Sequence, residues 1–119
     1  MAVWARYLTG PRIKTDLWVQ AQIRVCDIAS IPAVVARRGD GDSGQVVIRN
    51  NRLDGTYEVF ARTISLDGTA AWRRVNGPVP VDGEAADLII VREANVDPDV
   101  WVVEIEDPDG KYELDGPVV

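Results

Sequence analysis

Between Lys14 and Ser30 apolar residues return at spacings of four and three: Leu17, Ala21, Val25 and Ile28, with Trp18 and Ala29 beside them. Residues three and four apart share one side of a helix, so this pattern predicts a helix over 14–30. Thr15 or Asp16 is placed to cap its first turn by accepting from a free backbone N–H. Pro32 ends it.

The pattern then changes period. From "AVVARR" through "QVVIRNN", "TYEVFARTIS" and "TAAWRRV", β-branched and aromatic residues alternate with polar ones. That alternation suits a half-buried antiparallel sheet. It predicts strands near 33–38, 45–52, 56–65 and 69–75, joined as a meander. The segment "LDGT" occurs at 53–56 and again at 66–69, and Asp-Gly pairs favour hairpin tips. A linker, "NGPVPVDG", covers 76–83. "EAADLIIVREAN" at 84–95 reads as a second helix, starting from Asp82 or Gly83, with Leu88, Ile89 and Ile90 apolar; Pro98 cannot continue it.

Residues 100–106 predict a fifth strand. Trp101, Val103 and Ile105 share one side, uniformly apolar and expected in the core. Val100, Val102, Glu104 and Glu106 share the other, which begins apolar and ends acidic. This is a strand emerging into water, followed by a turn at Asp109-Gly110, with "KYEL" a candidate short returning strand. The elements add up to an α+β domain: a mostly antiparallel five-stranded sheet, made of the four-strand meander plus the C-terminal strand, with two helices packed on one face. The chain is expected to be one domain over 1–119, with an N-terminal extension at 1–11 and a loose tail at 115–119.

Composition narrows the setting. With 119 residues, 46% apolar and 27% charged, this is a globular composition able to bury its own core. The single cysteine, Cys26, forms no internal disulfide and fits a reducing compartment. No signal-peptide core and no membrane-length apolar run are visible, so a cytoplasmic protein without a membrane partner is expected. Net charge is −6 but unevenly spread. Residues 37–75 carry seven arginines against five acids, and 76–119 carry two bases against twelve acids. The two stretches can neutralise each other within a fold or across a dimer.

Most catalytic chemistries lack their residues. The absence of histidine removes His-based acid–base catalysis, the Ser-His and Cys-His nucleophiles and most zinc sites. Cys26, between apolar helical turns, reads as a core residue. Lys14 and Lys111 are the only lysines, no phosphate-loop motif occurs, and no cofactor is expected. "GDGDSG" at 39–44 and the segment around Gly110 both lack ligands that a calcium loop requires. Glu104 and Glu106 lie roughly 6.5–7 Å apart along a strand, within the spacing of an inverting carboxylate pair. Any two acids at that separation in sequence would meet it, so the solvated reading is preferred.

Three segments and the spacing between them carry a resemblance: "RIKTDLWVQAQIRVC", "AVVARRGDGDSGQVVIRNNRLDGT" and "DPDVWVVEIEDPDG". Arg12-Ile13-Lys14 before Trp18-Val19, Arg38-Gly39-Asp40 with Gly44, and Asp97 to Asp107 are similar to the pattern of an uncharacterised family of small bacterial proteins, the domain of unknown function DUF1491. The resemblance covers roughly 12–112. It implies a cytosolic bacterial origin and carries no activity, ligand or catalytic residue.

Three functions are weighed from this sequence. The first is a small non-enzymatic protein acting by protein–protein contact, a homodimer being one form of it, on the strength of its four tryptophans, unequal charge halves and free sheet edges. The second binds nucleic acid or nucleotide phosphate through an Arg-rich sheet face: Arg37, Arg38, Arg62, Trp72 and Arg73. The third is an enzyme using carboxylates and arginines, with Asp40, Glu104 and Glu106 as candidates. The acidic balance disfavours the second and the lack of catalytic apparatus the third. Metal ligands are not assigned.

Overall fold

A computed structural model describes residues 14–119. The expected extension at 1–11, Trp4 and the Arg12-Ile13 pair lie outside the described residues. The elements run α1 (Thr15–Ile28), β1 (Ala33–Arg37), β2 (Val46–Asn51), β3 (Thr56–Ile64), β4 (Ala70–Arg74), β5 (Val81–Asp82), α2 (Gly83–Val96) and β6 (Trp101–Glu106). This is an α+β fold: among the described residues, two helices and a mixed, mostly antiparallel six-stranded sheet.

Strand order is β1-β6-β2-β3-β4, with β5 paired to Thr56–Tyr57 at the start of β3. The meander is therefore interrupted. β6 inserts between β1 and β2, antiparallel to the first and parallel to the second. The cause is legible in β6 itself. Val100, Val102 and Val103 are each 2% exposed or less, and Trp101 3%. A strand apolar on both sides needs cover on both sides, which only a central position provides. β2 is similar, with Val46, Val47 and Ile48 all buried.

The helices consequently lie on opposite faces, not on one. Val46, Ile48, Trp101, Val103 and Ile105 pack with Trp18, Val19 and Cys26 of α1. Val47, Val59, Val100 and Val102 pack with Ala86 of α2, with Ile89, Ile90 and Ala94 alongside. Each fully buried Val or Ile in these two layers contributes about 1.5–3 kcal/mol.

The buried stripe of α1 also differs from the expected one. Thr15, Trp18, Val19, Gln22 and Cys26 face the sheet, while Leu17 and Ile28 are half or more exposed. The large indole of Trp18 sets the rotation, and a polar Gln22 falls on the inner face. Lys14 occupies the N-cap position without a side-chain cap. Thr15 Oγ1 instead donates to the Gly44 carbonyl at 3.1 Å, tying the helix to the loop before β2. α2 has the expected cap: Asp82 accepts from the Ala85 N–H at 2.8 Å.

The two LDGT segments lie at hairpin tips, with Gly55 at φ 88° and Gly68 at φ 85°. The preceding aspartates do not take positive φ there, although Leu53 of the first segment does, at φ 60°. Asp54 and Asp67 act through their carboxylates, each accepting from the N–H and hydroxyl of the threonine two residues on. This is a side-chain lock on the turn rather than a two-residue mirror-image turn. "KYEL" forms no strand. The Lys111 and Tyr112 N–H groups donate to the Asp107 carboxylate at 3.0 and 2.8 Å, closing the Pro-Asp-Gly turn.

Candidate functional site

The carboxylates proposed for chemistry are not gathered. The Asp40 carbonyl accepts from Trp101 Nε1 at 2.7 Å, so Asp40 sits at the start of β6. Glu104 and Glu106 lie three and five residues along that strand, roughly 10 and 16 Å away at strand rise. The Asp40 carboxylate accepts from the Ser43 N–H and hydroxyl and from the Asp42 N–H, which holds its pKa below the usual carboxylate range. Glu104 faces Arg49 at 3.5 Å, too long for a hydrogen bond but close enough for attraction. Glu106 is exposed. Among the described residues no group of acids or Cys26 could hold a metal ion.

The arginines of the sheet and its candidate site are likewise spoken for. Arg49 pairs with Asp87 at 2.9 Å and lies over the Tyr57 ring. Arg62 stands over the Trp18 ring, 3.7 Å from Asp115. Arg73 pairs with Glu93 and Arg74 with Glu58. Arg37 braces the α2–β6 connection by donating to the Pro98 and Val100 carbonyls at 3.0 and 2.8 Å. Arg38 lies over Trp101. The basic middle of the chain is thus matched mainly against the acidic last third. Trp72 is fully buried, and Trp18 and Trp101 nearly so, which makes these three core residues rather than contact residues.

Three separated segments meet at one corner. The Asp40 N–H donates to the Asp99 carbonyl at 3.0 Å, the Asp16 N–H to Gly41, and the Trp101 N–H to Gln45. A Cβ at Gly39 or Gly44 would come within 2.1 or 2.2 Å of the Asp99 carbonyl oxygen. The glycines of "RGDGDSG" are needed so that this loop can lie directly on the chain entering β6. Its role here is architectural.

What separates the two ends of the sheet is their covering. At the β4 end, the Trp72 N–H donates to the Pro117 carbonyl and the Val119 N–H to the Trp72 carbonyl, both at 2.8 Å. Asp115 accepts from both Trp18 Nε1 and Trp72 Nε1 at 2.8 Å. The segment 115–119, expected to be loose, is bound along this edge because its one acid finds two buried indole donors. At the opposite end, among the described residues, β1 pairs only with β6. Val34, Val35 and Ala36 are exposed there, Val34 by 58%, and no charge interrupts 32–36. Beside this strand lies a groove of about 550 Å³ lined by Gln20, Ile23, Arg24, Asp27, Ile31 and Val34.

None of these groove residues was singled out from sequence. The available signal was Ala33–Ala36, an uncharged apolar run whose place at the sheet edge only the fold reveals.

Among the described residues, a helix on each face of a mixed sheet, with one edge bridged by the C-terminal segment and the other unpaired, defines a small α+β protein with an exposed strand. The chain belongs to the DUF1491 family, whose model, described as a protein of unknown function, matches residues 13–115. It is similar to a DUF1491 family protein from Caulobacter crescentus CB15 in a crystal structure: 37% identity, TM-score 0.78, 90% of this chain and 99% of that one. An NMR structure of a DUF1491 family protein from the same organism gives 38%, 0.76, 92% and 99%. The solution structure of protein Atu0922 from A. tumefaciens matches at 25% identity and TM-score 0.69, over 87% of this chain and 89% of that one. No curated protein matches at a significant level. No helix among the described residues is long and apolar enough to cross a membrane.

Proposed function

We propose that this chain is a non-enzymatic protein that works by protein–protein contact, using the open β1 edge to pair with a strand of its partner. The observation that carries this reading is the asymmetry of the sheet. A free edge presents unpaired N–H and C=O groups and is a template for strand addition. Here one edge is bridged at Trp72 by residues 117–119, while among the described residues nothing pairs with the outer side of β1, and Val34 and Val35 lie in solvent. The phosphate-binding reading has less to draw on, since Arg49, Arg62, Arg73 and Arg74 already face carboxylates.

A photo-crosslinking residue in place of Val35, expressed in the native host, tests this directly, with the same residue in place of Leu66 at the exposed β3–β4 tip as control. A discrete protein adduct from position 35 and none from 66 is expected. No adduct at 35, or the same products at both positions, would refute it.

A further inference from the structure

We infer that the partner at this edge is a second copy of the chain, docked about a twofold axis normal to the sheet. The inference rests on the strand-contact reading above and names its occupant.

An interface between identical copies must complement itself, because the same patch appears on both sides. The groove beside β1 has that property. Arg24 and Asp27 sit three residues apart on α1 and both line it. Among the described residues neither side chain has an ion-pair or hydrogen-bond partner, in contrast to the arginines of the sheet. One free cation and one free anion on the same flank of one helix are what a twofold antiparallel arrangement can use. It presents Arg24 of each copy to Asp27 of the other, making two pairs from one patch.

The strand fits the same axis. β1 pairs regularly with β6 through Ala33, Val34 and Val35, and the register then shifts before Arg37. The irregularity limits an added ladder to 33–35. With Val34 on the axis, Ala33 of one copy lies opposite Val35 of the other, and no charge opposes a like charge. Arg37, the nearest cation on the strand, is held within its own copy by the Pro98 and Val100 carbonyls.

A stable dimer buries about 1,200–2,000 Å² in total, far more than a three-residue ladder provides. The outer flank of α1 supplies the rest. Leu17 and Ile28 are 50% and 72% exposed, and they flank Gln20 and Arg24 on that helix. Two such flanks facing each other across the axis would shield apolar surface that a single copy leaves in water.

Sedimentation and light scattering of the full chain, from low to high micromolar concentration, give the test. The native chain should show the mass of two copies. Arg24→Asp and Asp27→Arg should each weaken the dimer by about tenfold, because each puts like charges face to face. The double exchange R24D/D27R should restore it, with unchanged circular dichroism in all three. Val34→Lys should also weaken it. A native chain that stays single at the highest concentration overturns the inference. So does a dimer indifferent to all four variants. If the chain is single but position 35 still crosslinks to a different protein, the strand-contact reading stands and only the self-pairing falls. If neither occurs, both fall.

Discussion

Trp18 and Trp72 direct their indole N–H groups at the same carboxylate. Their ring centroids lie 5.9 Å apart, tilted at 36°, and the two nitrogens reach separate oxygens of Asp115. One tryptophan comes from α1, the other from β4, and the acid from the C-terminal segment. The bond therefore joins a helix, a sheet edge and a tail. Arg62, over the Trp18 ring, balances the buried charge.

Removing that acid should be expensive. Asp115→Ala strands two buried indole donors and leaves the Arg62 guanidinium without its carboxylate. The expected loss is about 3–5 kcal/mol, a large share of a typical domain's stability. Asp115→Asn keeps one carbonyl acceptor and should lose less. Urea unfolding followed by tryptophan fluorescence measures both. Equal stability of D115A and the native chain would show that the tail contributes nothing to holding the β4 edge.

The corner where the Gly-rich loop meets β6 makes a second prediction. Gly44→Ala places a methyl 2.2 Å from the Asp99 carbonyl oxygen. That backbone cannot yield without breaking the Asp40–Asp99 and Gln45–Trp101 bonds beside it. Trp101→Phe keeps an aromatic ring in the core but removes the donor to the Asp40 carbonyl, a loss of about 1 kcal/mol, together with part of the buried indole, whose cavity the neighbouring side chains can partly relax into. Thermal melts should therefore rank G44A well below W101F. The reverse order would mean that the loop moves freely away from β6.

Element types were legible in the sequence, and arrangement was not. Alternation located β1 through β4 and β6 to within a residue or so of their ends, since a strand's period is local. Strand order is a property of the whole chain. The double-sided apolarity of Val100–Val103 is visible, but alternation alone reads it as one buried side and one emerging side. Taken as a demand for a central position, it leads to the insertion of β6 between β1 and β2 and to helices on both faces. The same locality explains α1. Leu17, Ala21, Val25 and Ile28 satisfy helical spacing, yet Trp18, Gln22 and Cys26 face inward, because the chain after β6 offers the indole a carboxylate in Asp115 and Gln22 a partner in Tyr112. The groove escaped notice because its charges come from a helix and its floor from a strand edge, and neither looks unusual alone.

Cys26 should behave as an inert thiol. It is 1% exposed, and burial, followed by the charge of Asp107, pushes its pKa up to about 11. The thiolate is the reactive form, so alkylation of the folded protein near pH 8 should be slow and should become fast only on unfolding. A thiol reagent titrated with and without denaturant checks this. The raised value also predicts that stability declines as pH rises from 9 toward 11, since the unfolded chain ionises its cysteine while the native chain resists. Rapid modification of the native protein would contradict the buried position on α1.

The acid limb of stability should trace to the turns. Asp67 has its pKa lowered to about 2, first by the hydroxyls of Ser65 and Thr69 and then by the Thr69 N–H. Asp54 is lowered by Thr56 in the same way, and Asp40 by Ser43. All three carboxylates bind protons more weakly folded than unfolded. Their contribution is complete above the unfolded value of 3.8 and is lost as pH falls toward 2. The melting temperature should thus be insensitive to these groups near neutrality and fall steeply in that acid window. Asp67→Asn cannot titrate, so it should flatten the acid slope while lowering the plateau slightly. Because neutral hydroxyls and amides hold the charge, and not distant cations, added salt should leave the slope in place. A slope identical in D67N and the native chain would move the acid sensitivity away from the hairpin tip. A slope abolished by salt would assign it instead to the ion pairs of the sheet, Arg49–Asp87 and Arg73–Glu93 among them.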